Sequence, residues 1–457
     1  MNDATMPAPP PGEDAAGGGE PIARAFTLPC GAVLANRLAK AAMTEGLADA
    51  AGRPTEALER LYRKWAGGGA GLLLTGNVMI DRDHLERAGN VVLHGRPDAR
   101  TMAALKRWSA AGTADGTHLW MQLSHSGRQT SRRVNPHPKA PSPVRLALPG
   151  GEFGQPVALT EDEIEALIDR FATAAEVARE TGFTGVQLHA AHGYLISEFL
   201  SPRVNRRTDR WGGSLDNRAR LLRAAVGEVR RRCGADFPIS VKLNSADFQK
   251  GGFSEDDALT VAGWLAADGV DLLEISGGTY EQPRMMDQGG VEPVPDAPVR
   301  ASTRAREAYF LDFAAAMRAQ VGVPLMVTGG FRTRQAMNAA IAQDGIAVVG
   351  LGRPMVVDPD GPAHLLAGRT EALEPWEKRL GNPRGWFGVN SPSTMIKAAS
   401  AFAVMAWYYM TLVEHGDGLE PDRAKGIWGS LVRLRRREAR LLKQRSDGRR
   451  GTPGSAG

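Results

Sequence analysis

From Ala23 onward, short apolar runs alternate with longer stretches of helical spacing. Eight runs read as strands: RLAKAAM (37–43), GLLLT (71–75), THLWMQL (117–123), TGVQLH (184–189), PISVKLN (238–244), VDLLEIS (270–276), PLMVTGG (324–330) and IAVVGLG (346–352). Between them lie helical stretches. One opens on Thr160 with Glu163 three residues later, a capping-box pattern, and runs to about Thr181 ahead of Gly182. Others fall near 55–67, 98–112, 215–233, 255–268, 303–320 and 333–343. Eight strands alternating with helices predict an α/β fold, a (β/α)8 TIM barrel with insertions. The alternative is a doubly wound open sheet, which usually carries a Gly-rich turn after its first strand. Here that strand ends in Met43-Thr44-Glu45, with no G-x-G-x-x-G.

Beyond residue 370 the alternation stops and a helical C-terminal extension begins. Ser391-Pro392 offers an N-cap and a first-turn proline for a helix running to about His415. Its uncharged run, 398–413, has sixteen residues, short of the roughly 20 that a bilayer span needs. The expectation is a helix packed on the barrel or in a subunit interface. Residues 427–445 read as a basic amphipathic helix. The organisation is then a disordered leader (1–22), a barrel (23–370), a helical extension (371–420) and a basic tail (421–457).

Charge sharpens this division. Net charge is +5 over 457 residues. Residues 1–20 carry four acids and no Lys or Arg, while 423–457 carry eleven bases and two acids. The body between them is neutral, which argues against a nucleic-acid-binding core. The tail leaves room for weak membrane-surface contact. The two cysteines, Cys30 and Cys233, and the absence of any C-x-x-C exclude a disulfide scaffold, a zinc ribbon and a cysteine-ligated iron–sulfur cluster. Two distant thiols suit a reduced, cytoplasmic protein. The N-terminus lacks the basic and apolar regions of a signal peptide.

In a barrel, residues at the C-terminal ends of strands face the site. Here these are Ala42, Met43 and Thr44; Thr75, Gly76 and Asn77; Gln122; His189 and His192; Lys242 and Asn244; Ser276; Gly329 and Gly330; Gly352 and Arg353. This polar, glycine-rich set suits a large anionic ligand. His189 and His192 are three apart, with Tyr194 two further on. Two imidazoles can both donate to one carbonyl oxygen and so polarise a conjugated C=C–C=O system, while a tyrosine hydroxyl delivers a proton to the neighbouring carbon. H-x-x-H also admits a metal reading, but the zincin pattern needs a glutamate after the first histidine. A structural histidine pair is the third reading.

The stretch HAAHGYL…EFLSP…NRRTDRWGGSLDNR (189–218) resembles the old yellow enzyme family of FMN-dependent ene-reductases, in its thermophilic-like bacterial branch. Asn36-Arg37, the strand end at 41–44, MQLSHSGRQ (121–129), TGG (328–330) and GLGR (350–353) agree with the family in order and spacing over roughly residues 25–365. The resemblance implies that Ala42, Met43 and Thr44 line FMN, with Thr44 near the reactive N5/O4 edge. Gly76 or Asn77 meets the pyrimidine edge, and Gln122 hydrogen-bonds that ring. Lys242 stands where the family usually has an arginine near N1 and O2. Gly330, Gly352 and Arg353 hold the phosphate. The catalytic residues are His189, His192 and Tyr194, with no metal. The sequence departs from the family where Ala42 replaces a common proline and Thr44 a common cysteine.

The same resemblance implies an NADH- or NADPH-dependent oxidoreductase that reduces the C=C bond of an α,β-unsaturated carbonyl compound, a small activated alkene, in a homo-oligomer. Two other classes stay open: a flavin oxidase or amine demethylase on the same barrel, and a membrane- or partner-associated protein without catalysis. No site residue lies beyond Arg353, so the tail is expected to be dispensable for the chemistry.

Overall fold

The computed structural model describes residues 19–146, 148, 151–277, 310–380, 391 and 393–450. All eight expected strands form: β1 (Leu38–Lys40), β2 (Leu72–Leu74), β3 (His118–Ser124), β4 (Gly185–Ala190), β5 (Ile239–Asn244), β6 (Leu272–Ser276), β7 (Leu325–Thr328) and β8 (Val348–Leu351). Each pairs in parallel with its sequence neighbour. Pairing of Val349 with Leu38 joins β8 to β1, and Leu72 with His118 joins β2 to β3, so the sheet closes into a barrel. The open-sheet alternative is thereby excluded.

Helices fill the crossovers: α1 (Glu56–Gly67), α2 (Ala99–Gly112), α3 (Glu161–Glu180), α4 (Leu215–Cys233), α5 (Glu255–Ala267), α6 (Leu311–Arg318) and α7 (Arg334–Ala342). The capping box of α3 is present in full. Thr160 accepts from the Glu163 amide, and the Glu163 carboxylate accepts from that of Thr160. The expected helix at 303–320 is observed from Leu311, and residues 303–309 lie outside the described residues.

Strand side chains alternate between two environments, as a period of two requires. Outward residues such as Leu73, Leu119, Val186 and Val241 join the helices in the main core cluster. Inward residues Ala39, Leu72, Leu74, Trp120, Leu272, Met326 and Val348 pack with Phe26, Leu28 and Leu34 of an N-terminal hairpin that plugs the barrel floor. Gly350 lies inward on β8, where a Cβ would overlap the Thr328 hydroxyl on β7. Above this apolar layer the inward positions turn polar.

Three boundaries differ from expectation. Residues 19–22 of the expected leader are docked: Ile22 is fully buried and its amide donates to Asn338 Oδ1 at 3.0 Å. Residues 1–18 lie outside the described residues. Helix α8 spans Thr394–Gly416 with Ser393 at its N-cap. Ser391 instead accepts from the Ser393 amide at 3.2 Å, and Pro392 lies outside the described residues. Helix α9 runs Ile427–Arg450, longer than expected. Among the described residues, no helix is long and apolar enough to cross a membrane.

Candidate active site

The strand ends named from the sequence converge on the C-terminal mouth of the barrel, where βα loops build sites. Ala42, Met43 and Thr44 leave β1 half-buried, as do Gly330 after β7 and Gly352 and Arg353 after β8. Gly329 and Gly330 both hold left-handed φ values, +119° and +86°, which glycine adopts without steric cost. A Cβ on Gly352 would meet only Met43 Sδ at 4.0 Å, so this backbone faces open space. Gly76 is the opposite case: a Cβ there would collide with the Glu45 carboxylate and the Met43 carbonyl.

Inside the mouth lies a connected polar layer. Gln122 Nε2 donates to Gln187 Oε1 at 2.7 Å, and Gln187 Nε2 donates to Glu274 Oε2 at 2.9 Å. Glu274 Oε1 also takes Lys242 Nζ at 2.8 Å and Thr328 Oγ1 at 2.7 Å. Lys242 is thus half of a buried ion pair. Gln187 and Glu274 were missed by sequence reasoning. The signal was a charged residue at an inward position of the apolar strand LLEIS.

His189 is buried at the end of β4. Its Nδ1 faces the Ala191 amide at 3.5 Å. His192 follows at φ +63°, and Gly193 at +77°. Two consecutive left-handed residues fold the chain back across the mouth. That turn is held by Asn244 Oδ1, which accepts from the His192 amide at 3.1 Å, and by Gln129 Nε2, which donates to the His192 carbonyl at 3.0 Å. His192 Nε2 lies 2.7 Å from Ser276 Oγ. The His189 ring centroid is 5.0 Å from that of His192 and 4.8 Å from that of Tyr194. Burial, then the Lys242 charge, holds both imidazoles well below the usual histidine range. Both rings are therefore neutral near pH 7.

Two further residue groups adjoin the set expected to line a flavin. Glu86 accepts from Thr44 Oγ1 and from Asn77 Nδ2 at 2.8 Å. Glu45 accepts from Tyr62 Oη and from the Gly76 amide at 2.9 Å, with buried Lys40 Nζ 3.9 Å away. Burial pushes the Lys40 ammonium down to about 8, against the pull of Glu45.

Asp81, His84 and His125 form a buried cluster within ligand distance of one another. His84 Nε2 accepts from the Lys139 amide at 2.8 Å and His125 Nδ1 from the Gly127 amide at 3.1 Å. Each ring's proton is then on its other nitrogen. Arg170 meets Asp81 Oδ2 at 2.5 Å. The cluster is a carboxylate surrounded by donors, which needs no cation.

The residues fit a flavin mononucleotide. Asn77 Oδ1 is buried without a hydrogen-bond partner at the expected pyrimidine edge. Gly329, Gly330 and Gly352 leave partly exposed backbone at the ends of β7 and β8, where Arg353 follows, which suits a phosphate.

The sequence profile of the NADH:flavin oxidoreductase / NADH oxidase family matches residues 29–372, ending ahead of α8 and α9. The NADH-dependent flavin oxidoreductase iliE of Hypocrea jecorina (strain QM6a) is 38% identical over 352 residues, covering 73% of this chain and 86% of that protein. Its namesake from Neonectria sp. (strain DH2) is 39% identical over 395 residues, 78% of this chain, which spans only 50% of that longer relative. Among solved structures, 2-naphthoyl-CoA reductase superposes with a TM-score of 0.68 at 26% identity, over 76% of this chain and 52% of that one. An old yellow enzyme homologue from Zymomonas mobilis shares the fold, with a TM-score of 0.64 at 24% identity over 77% and 93% of the two chains. The chain belongs to the NADH:flavin oxidoreductase / NADH oxidase family, and is an FMN- and NADH-dependent oxidoreductase.

Proposed function

We propose that this protein reduces the C=C bond of α,β-unsaturated carbonyl compounds. The observation that carries the reading is the pair of neutral imidazoles, His189 and His192, beside Tyr194 at the barrel mouth. With the Ala191 amide facing His189 Nδ1, the ring's Nε2–H is free to donate. His192 Nε2 is engaged by Ser276 Oγ, and in the tautomer in which Ser276 donates, that ring's proton sits on Nδ1 and is likewise available. Two donors on one carbonyl oxygen stabilise the negative charge that builds there as the β-carbon accepts hydride. Tyr194 supplies the proton to the α-carbon.

The chemistry FMN supplies when bound is two-electron transfer from NADH to the acceptor. Ala42, Met43, Thr44, Gly76, Asn77 and Gln122 would hold its ring, and Gly330, Gly352 and Arg353 its phosphate. Lys242 would stand by the pyrimidine, its charge already offset by Glu274.

Anaerobic stopped-flow with simple enones tests the assignment. His189→Ala and His192→Ala should each slow oxidation of the reduced protein by alkene on the order of a hundredfold or more, with reduction by NADH less affected. Normal alkene turnover in both variants overturns the role.

A further inference from the structure

The C-terminal helices pack back over the barrel. Helix α8 docks on α1, where Arg60 Nε donates to the Gly416 carbonyl at 2.7 Å, and His415 Nε2 meets the Val356 carbonyl at 3.1 Å. Helix α9 reaches the loop after β2. Arg87 donates to Glu438 Oε1 at 2.7 Å beneath the Tyr409 ring, and Arg445 donates to the Ala88 carbonyl at 3.0 Å.

Between these helices and the barrel loops lies a cleft with mainly apolar walls. Phe402 and Met405 of α8 and Leu434 and Leu442 of α9 form one side, and Val134 and Phe153 of the barrel loops the other. Phe402 is 59% exposed, an unusual place for a large aromatic. Two residues of the cleft also bond to the site. Glu86 accepts from Thr44 and Asn77, and Gln129 donates to the His192 carbonyl. The cleft therefore shares two side chains with the hydrogen bonds that hold the His192 turn and the strand end after β1. Its outer wall lies beyond residue 372, outside the family-matched barrel.

We infer that this cleft seats the apolar body of an elongated acceptor whose activated alkene lies at His189 and His192. The inference rests on the C=C-reducing role proposed above and names its substrate class: acceptors with an extended hydrocarbon portion rather than compact enones. Glu86 and Gln129 are one hydrogen bond from the site and also line the cleft, so a chain leaving the carbonyl region past them would meet its apolar walls. Burying each methylene is worth about fourfold in affinity.

Steady-state kinetics on the full-length FMN-loaded protein with a straight-chain 2-alkenal series, from six to twelve carbons, tests this. In the wild type KM should fall severalfold with each added pair of methylenes until the cleft is filled. Phe402→Asp should raise KM for the ten- and twelve-carbon members at least tenfold more than for the six-carbon one. Phe402→Leu should restore most of the length dependence. A KM independent of chain length in the wild type overturns the inference, as does an equal effect of Phe402→Asp at every length. A change in oligomeric state with length dependence intact also overturns it, by making Phe402 part of a contact between copies. Failure of the underlying reading is distinct: no member of the series, short or long, would be reduced.

Discussion

The Ser276 hydroxyl at the end of β6 lies 2.7 Å from His192 Nε2 on the loop after β4. The contact occupies one ring nitrogen and, in the proposed role, leaves Nδ1 for the substrate. Ser276→Ala should slow alkene reduction up to about tenfold, the scale of one lost hydrogen bond, and Ser276→Thr should restore it. The loss should fall on the alkene half-reaction in stopped-flow, with the visible flavin spectrum unchanged. Equal loss in both half-reactions would assign Ser276 a merely structural part.

Tyr194 caps the short helix Leu195–Leu200 and sits against His189. Tyr194→Phe keeps that packing and removes the acid. Turnover of a simple enone should drop by roughly 10² to 10⁴, while NADH still reduces the flavin. Unchanged turnover would mean that solvent or another group donates the proton.

Glu274 compensates Lys242 inside the barrel and also takes bonds from Gln187 and Thr328. Glu274→Gln leaves a buried ammonium unpaired, which costs about 3–5 kcal/mol. Urea denaturation should show that loss, and the midpoint potential of bound FMN should move positive as the negative charge is removed. A stable variant with an unshifted potential would show that Lys242 loses its proton instead.

His415 ties the end of α8 to the barrel through the Val356 carbonyl, with Lys64 Nζ 3.2 Å from its Nδ1. Burial, then the Lys64 charge, pushes the imidazole down to about 4. The unfolded chain takes up a proton near pH 6.5 that the folded chain refuses until about pH 4. Stability from this group is therefore present above pH 6.5 and lost as pH falls toward 4. His189, His192 and His125 act with the same sign. Denaturation at pH 7.5 and pH 5 should show the fall, and His415→Asn should make it shallower. A pH-independent difference between the two proteins would contradict the sign.

Alternating apolar runs and helix caps determined the eight strands and the helices between them. Both signals are local: inward and outward positions repeat every two residues, and a capping box spans three. The H-x-x-H-x-Y spacing determined the candidate chemistry for the same reason, because one loop carries all three side chains. Only the tertiary structure decided what surrounds them. Glu274 reaches Lys242, Gln187 and Thr328 because parallel pairing sets β4 to β7 side by side. The basic tail reads in isolation as a solvated or membrane-facing helix. In the fold its Glu438 pairs with Arg87, 351 residues earlier, and its apolar side walls a cleft against the barrel loops. Periodicity tells a helix which face to bury, but the surface that receives that face exists only once the barrel has closed.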